Sequence, residues 1–119
     1  MHAEEIFQVI AIDVQIYQKK MERKELELER RCRAHARAYG WVCCKLEKNG
    51  CKGIPDDLFI TPDESYMLIE FKKDQHQKPR PEQRVWLQRL PKTAHIVCSF
   101  AEFCQVTGLP EMPKEYRQS

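Results

Sequence analysis

Apolar residues recur every three or four positions along the first forty residues. Ile6, Ile10, Val14, Tyr17 and Met21 make a helical stripe over residues 4–21, widened by Ala11, Ile12 and Ile16. Leu26, Leu28, Cys32, Ala36 and Tyr39 make another over residues 24–39, and Gly40 suits a helix stop. The pattern fits one long helix or two. Residues 41–46 (WVCCKL), 57–61 (DLFIT) and 66–72 (YMLIEFK) then read as strands. Gly50, Gly53 and Pro55 mark 47–55 as a loop, and Pro62, Asp63, Glu64 and Ser65 mark a turn that makes the second and third strands a hairpin. A polar, mobile loop is expected over 73–79. Pro81 opens a helix over 81–90, with Val85, Trp86 and Leu90 as its buried stripe. Residues 95–98 read as a last strand. Ser99 and Glu102 form a capping box for a short helix ending at Gly108, and the tail after Pro110 is expected to be loose. The order is α-β-β-β-α-β with an extra helix at each end, which predicts an α/β fold with a mixed central sheet flanked by helices.

Composition refines this only in part. A chain of 119 residues, 42% hydrophobic and 32% charged, is an ordinary soluble composition of one domain. The net charge of +2 does not by itself announce nucleic acid, but the cations cluster: Arg30, Arg31, Arg33 and Arg37 in one segment, Lys72, Lys73, Lys78, Arg80 and Arg84 in another. Such surfaces suit a phosphate backbone, and equally suit solvated helix faces. The first residues lack a secretory pattern and no run is long enough to span a membrane, so a cytoplasmic setting with reduced cysteines is expected. Of the six cysteines, Cys43, Cys44 and Cys51 could suggest a zinc-stabilised interaction domain. Their spacing is not that of paired CxxC knuckles, and adjacent strand residues point to opposite faces, so buried free thiols are favoured.

The stretch that carries chemistry is Gly53-Ile54-Pro55-Asp56, followed after thirteen residues by Glu70-Phe71-Lys72. Strand periodicity puts Glu70 and Lys72 on one face, where Leu68 also sits, with Ile69 and Phe71 on the other. Asp56 starts the partner strand of the hairpin and can approach Glu70 across the ladder. Magnesium is usually held by one or two carboxylates together with substrate phosphate oxygens, and a metal so held lowers the pKa of a bound water. A lysine beside it can orient that water or stabilise the charge that develops on phosphorus.

These residues resemble the PD-(D/E)xK nuclease motif, and the wider pattern is similar to the VRR-NUC family in its short, stand-alone, phage-type form. The Gly-x-Pro-Asp turn, the strand Ile69-Glu70-Phe71-Lys72, and Pro81-Glu82-Gln83 with Trp86 carry the likeness, which covers about residues 25–104. It implies a restriction-endonuclease-like αβββαβ core with an additional N-terminal helix, and metal-dependent hydrolysis of DNA. Magnesium or manganese would be the only cofactor, with no small-molecule cofactor and no membrane. It further implies that the backbone carbonyl of Phe71 joins Asp56 and Glu70 as a metal ligand, that Lys72 positions or activates the water, and that Gln83 holds the scissile phosphate or the lysine. An acid on the first core helix is implied as well. Glu29, in the pair Glu29-Arg30 eleven residues ahead of Gly40, fits best, with Glu25 one turn earlier as the second choice. Lys45 looks like the family's basic residue on the strand leading into the site. With Arg30, Arg33, Lys73, Lys78 and Arg84 it is expected to touch the DNA backbone. Arg80 stands where the family often has Ser or Thr, which weakens the cap of the following helix.

The resulting division is an N-terminal helical extension over 1–23, a nuclease core over 24–107 and a tail over 108–119. The stripe on the extension either folds back on the core or pairs two copies as a homodimer, which would suit a four-way Holliday junction or other branched DNA. A non-catalytic nucleic-acid-binding module with the same fold is the alternative, against which stands the retention of Asp56, Glu70 and Lys72. A phage origin would place the protein in the cytoplasm of a bacterial host.

Overall fold

The structure, a computed structural model, describes residues 3–46 and 50–113. Residues 114–119 of the expected loose tail and 47–49 of the loop before Gly50 fall outside these residues. The order is α1 (Ala3–Ala38), β1 (Val42–Lys45), β2 (Asp57–Ile60), β3 (Tyr66–Phe71), α2 (Pro81–Arg89), β4 (Ala94–Val97) and α3 (Phe100–Thr107). The fold is α/β, with a four-stranded mixed sheet in the order β1-β2-β3-β4 flanked by helices. The first two pairs are antiparallel and β3 runs parallel to β4.

The two N-terminal stripes belong to one helix of 36 residues. No proline or glycine interrupts 3–38, so nothing local breaks the backbone hydrogen-bond ladder. Only its second half meets the sheet: Glu29, Cys32, His35 and Ala36 are buried, while Ile6, Phe7, Ile10, Val14 and Tyr17 are exposed. The first half therefore does not fold back on the core. It extends away from the sheet, and the principal dimensions of the molecule with this helix are 64 × 36 × 22 Å.

The core lies between α1, α3 and the sheet. Phe59, Ile69, Phe71 and Val97 from three strands meet Cys32 and Ala36 of α1 and Phe103 and Cys104 of α3. Phe59 and Phe103 pack tilted at 5.3 Å between ring centroids. All of Leu68, Ile69, Glu70 and Phe71 are buried, so β3, the strand between β2 and β4, is covered on both faces over this stretch. Ser99 caps α3 by accepting from Glu102 N–H at 3.1 Å, and Gly108 ends it at φ 77°. Val85, expected in the buried stripe of α2, is 48% exposed, while Trp86 and Leu90 are half-buried. A helix of nine residues on a sheet rim buries only a narrow strip.

Candidate active site

The β2–β3 register pairs Asp57 with Ile69 and Leu58 with Leu68, so one residue further on Asp56 stands opposite Glu70. A direct bond fixes that placement: the Phe71 N–H donates to Asp56 Oδ2 at 2.9 Å. Asp56 thus ends the ladder with its side chain where a backbone carbonyl would otherwise accept. Glu70 lies on β3 and Lys72 one residue past its end, and both are buried. Lys72 Nζ lies 3.4 Å from Glu70 Oε2 and donates to Gln83 Oε1 at 3.1 Å. The same Gln83 oxygen accepts the Arg80 backbone N–H at 3.0 Å. Gln83 therefore performs two tasks, closing the first turn of α2 and holding Lys72. Arg80 offers no side-chain cap to that helix, and Gln83 supplies the reciprocal contact.

The glycine of the Gly-x-Pro-Asp turn has its own role. Gly53 has φ 79°, and a Cβ there would stand 2.5 Å from the backbone carbon and oxygen of Glu82. Only glycine lets the loop lie this close to the start of α2. One turn later Trp86 Nε1 donates to the Lys52 carbonyl at 3.2 Å, closing the same contact. The loop before Asp56 and the helix carrying Gln83 are thus docked together.

The two candidate acids of α1 go to different places. Glu25 lies within electrostatic reach of Asp56, Lys72 and Lys73, and burial followed by the charge of Asp56 raises its pKa above the usual carboxylate range. Glu29 instead accepts from Arg33 Nη1 at 2.7 Å and lies 3.4 Å from Lys45 Nζ. Arg33 Nη1 also reaches Asp57 Oδ1 at 2.8 Å, and Asp57 is fully buried. Burial pushes the Asp57 carboxyl up to about 7, and its hydrogen bond with Glu29 adds to the shift. Burial opposes ionisation of Glu29 too, but the bond from Asp57 and the charges of Lys45 and Arg33 outweigh it and hold that carboxyl below its usual range. The two carboxyls thus shift in opposite directions while sharing one guanidinium.

Two placements differ from the expectation. Glu29, the first choice for the helix acid, sits in the Arg33–Asp57 cluster, and the second choice, Glu25, faces Asp56 and Lys72. Successive strand residues point to opposite faces, so Asp56 and Asp57 belong to different clusters. Arg33, expected on DNA, turns inward with its side chain only 15% exposed. Asp57 was not singled out at all, although a second acid inside a strand otherwise reading Leu-Phe-Ile was the available signal. Arg30, Lys45, Lys78 and Arg84 are exposed and Lys73 is half-buried. Arg31 and Arg37 are engaged elsewhere, the former over the Phe100 ring at 3.8 Å and the latter with the Cys43 carbonyl.

Oxygen donors on one rim, two of them carboxylates on adjacent strands and a third carboxylate under like-charge pressure, suit a hard divalent cation. Among the described residues no group of three or more His, Cys, Asp or Glu side chains is built to hold a metal by itself. A magnesium site completed by water and substrate oxygens does not require one. The zinc reading has no such latitude. Cys43 is buried and Cys44 exposed, and burial pushes the Cys32 and Cys43 thiols up to about 12 and about 11, far from ready thiolates. No helix among the described residues is long and apolar enough to cross a membrane.

No protein-family model and no curated protein matches the chain. Among solved structures, one described as a "VRR_NUC domain" is similar over 72% of this chain and 92% of its own length, with 32% sequence identity and a TM-score of 0.61.

Proposed function

Given that the chain belongs to the VRR-NUC family and is therefore a nuclease-family domain, we propose that it is a divalent-metal-dependent endonuclease hydrolysing DNA phosphodiester bonds. The observation that carries this reading is Asp56 opposite Glu70 across the β2–β3 ladder, with Lys72 beside Glu70. Asp56, Glu70 and the Phe71 carbonyl would hold magnesium or manganese, with Glu25 supplying the charge from α1. Bound there, the ion would polarise the scissile phosphate and acidify an attacking water.

The chain's own residues supply the rest. Lys72 carries a positive charge next to the carboxylates, positioned to orient the nucleophile and to stabilise charge developing on the phosphate. Gln83 fixes the rotamer of Lys72 by accepting from Nζ, and Glu70 Oε2 lies 3.4 Å from the same nitrogen, so the ammonium stays aimed. Lys73, Lys78 and Arg84 flank it on the β3–α2 segment, with Arg30 and Lys45 on α1 and β1. They would neutralise phosphates without reading sequence. Glu29 serves the scaffold: with Arg33 and Asp57 it ties α1 to the first residue of β2, next to Asp56.

The substrate class that the reading extends to is branched DNA, four-way junctions included, with two copies of the chain addressing one substrate. A cleavage panel of linear duplex, flap, single-stranded and four-way-junction DNA tests it, with magnesium, with manganese and with neither. Metal-dependent cutting of a branched form before linear duplex is expected. No cutting of any form with either metal would overturn the catalytic reading, and equal cutting of all forms would overturn the branched preference.

A further inference from the structure

Among the described residues nothing covers the start of α1: every position from Ala3 to Lys20 is exposed. Ile6, Phe7, Ile10, Val14 and Tyr17 are between 45% and 73% exposed. Ala3, Phe7, Ile10, Val14, Tyr17 and Met21 follow one another by alternating steps of four and three, the spacing of a coiled-coil seam. In proteins most of a helix's stability comes from the packing of its apolar face. At about 100° per residue, the seam occupies the angular sector that Leu28, Cys32 and His35 occupy further along. There the sector packs on the chain's own core. One continuous face thus has its own sheet as cover after Met21 and, among the described residues, none before it.

We propose that the cover is a second copy of this chain, with the two α1 helices antiparallel and centred on Ile12. In that register Phe7 meets Tyr17 of the second copy, Ile10 meets Val14 and Ala3 meets Met21, so each seam residue has a seam residue opposite. The helix ends agree. Glu4 and Glu5 of one copy lie beside Lys19 and Lys20 of the other, whereas a parallel pair would put like charges together at both ends. A parallel pair also fails sterically. It would run the second helix along the face of residues 28–36, where this chain's sheet already packs. The antiparallel pair uses the face only up to Met21.

The arrangement has a consequence that rests on the nuclease reading above. Glu25 is thirteen residues beyond Ile12 in each copy, so the two copies of Glu25 stand about 39 Å apart along the helix axis at 1.5 Å per residue. That is close to one turn of duplex DNA, about 34–36 Å. Two cuts would be made about one turn apart.

The test is sedimentation equilibrium of the full chain from micromolar to hundred-micromolar concentration, a readout of mass that is independent of cleavage. The wild-type chain should be a dimer. I10D/V14D should raise the dissociation constant by about 100-fold or more, since it places charges in the centre of the seam. E4K/E5K should raise it by about tenfold, because both ends of an antiparallel pair become basic, and adding K19E/K20E should restore it. A wild-type monomer, an undiminished I10D/V14D dimer, or an E4K/E5K dimer as tight as wild type would each overturn the proposal, the last in favour of parallel pairing. A monomer that co-floats with anionic lipid vesicles would overturn it in favour of a membrane surface. D56N should pair like wild type while losing cleavage, so failure of the pairing and failure of the nuclease reading are told apart.

Discussion

Replacing Gly53 with alanine probes how the loop before Asp56 is docked on α2. Two costs arise. Gly53 has φ 79°, and an L-residue held there loses about 1–2 kcal/mol. The new methyl would also stand 2.5 Å from backbone atoms of Glu82, which cannot swing aside as a side-chain tip could. Restoring ordinary contact needs a retreat of about 0.9 Å by the loop or the helix, and overpacking of this kind costs about 1–3 kcal/mol. The combined loss is about 2–5 kcal/mol, which a domain of ordinary stability survives. Gly108 makes the control. Its φ is 77°, and no described atom lies within 4 Å of an added Cβ, so Gly108→Ala carries only the backbone cost. Urea unfolding should therefore place Gly53→Ala about 1–3 kcal/mol below Gly108→Ala. Activity should separate the two further. If α2 retreats, Gln83 leaves its 3.1 Å contact with Lys72, and a misplacement of about 1 Å at a catalytic group can cost about 100-fold in rate. Gly108→Ala should cleave like wild type. Should Gly53→Ala unfold within about 0.5 kcal/mol of Gly108→Ala and keep its rate, the close approach of loop and helix does not hold Lys72 in place.

Glu25→Gln should slow cleavage by about 10–100-fold with little loss of stability, whereas Glu29→Gln should keep most of the rate and lower stability by about 1–3 kcal/mol; the opposite ranking in paired rate and urea measurements would return the helix acid to Glu29. Arg33→Met leaves Glu29 and Asp57 buried without their cation, so it should cost about 3–5 kcal/mol in urea unfolding. It should also leave the salt dependence of DNA binding unchanged, while Arg84→Ala lowers that slope by about one. Asp56→Asn should remove cleavage while the unfolding midpoint stays near wild type, because an asparagine oxygen can still accept the Phe71 N–H. Chelation of wild type should stop cleavage until magnesium or manganese is restored, and persistent cutting in chelator would contradict a metal-dependent site.

Much of this was legible in the chain itself because it depends on local periodicity and turn chemistry. The alternation in YMLIEFK, the turn at 62–65, the cap at Ser99 and the stop at Gly108 are short-range signals. Hairpin geometry alone brings Asp56 and Glu70 together, since the turn length sets the register. The helical acid was different. Glu25 and Glu29 share a face of α1, and which of them comes near Asp56 and Lys72 depends on where the helix crosses the sheet, a relation between segments some thirty residues apart in sequence. The inward turn of Arg33 follows from the same crossing, because its partners Asp57 and Glu29 lie on separate elements. Asp57 shows the limit most plainly. Beside Asp56 in sequence, it differs only in strand parity, and parity acquires meaning once α1 covers one face of β2 and leaves the other to the site. The sequence by itself determined the elements, the hairpin and the pairing of Asp56 with Glu70. Only tertiary packing decided which charges gather with Arg33 and which gather around Asp56 and Glu70, because desolvation and ion pairing depend on what lies against each side chain in space.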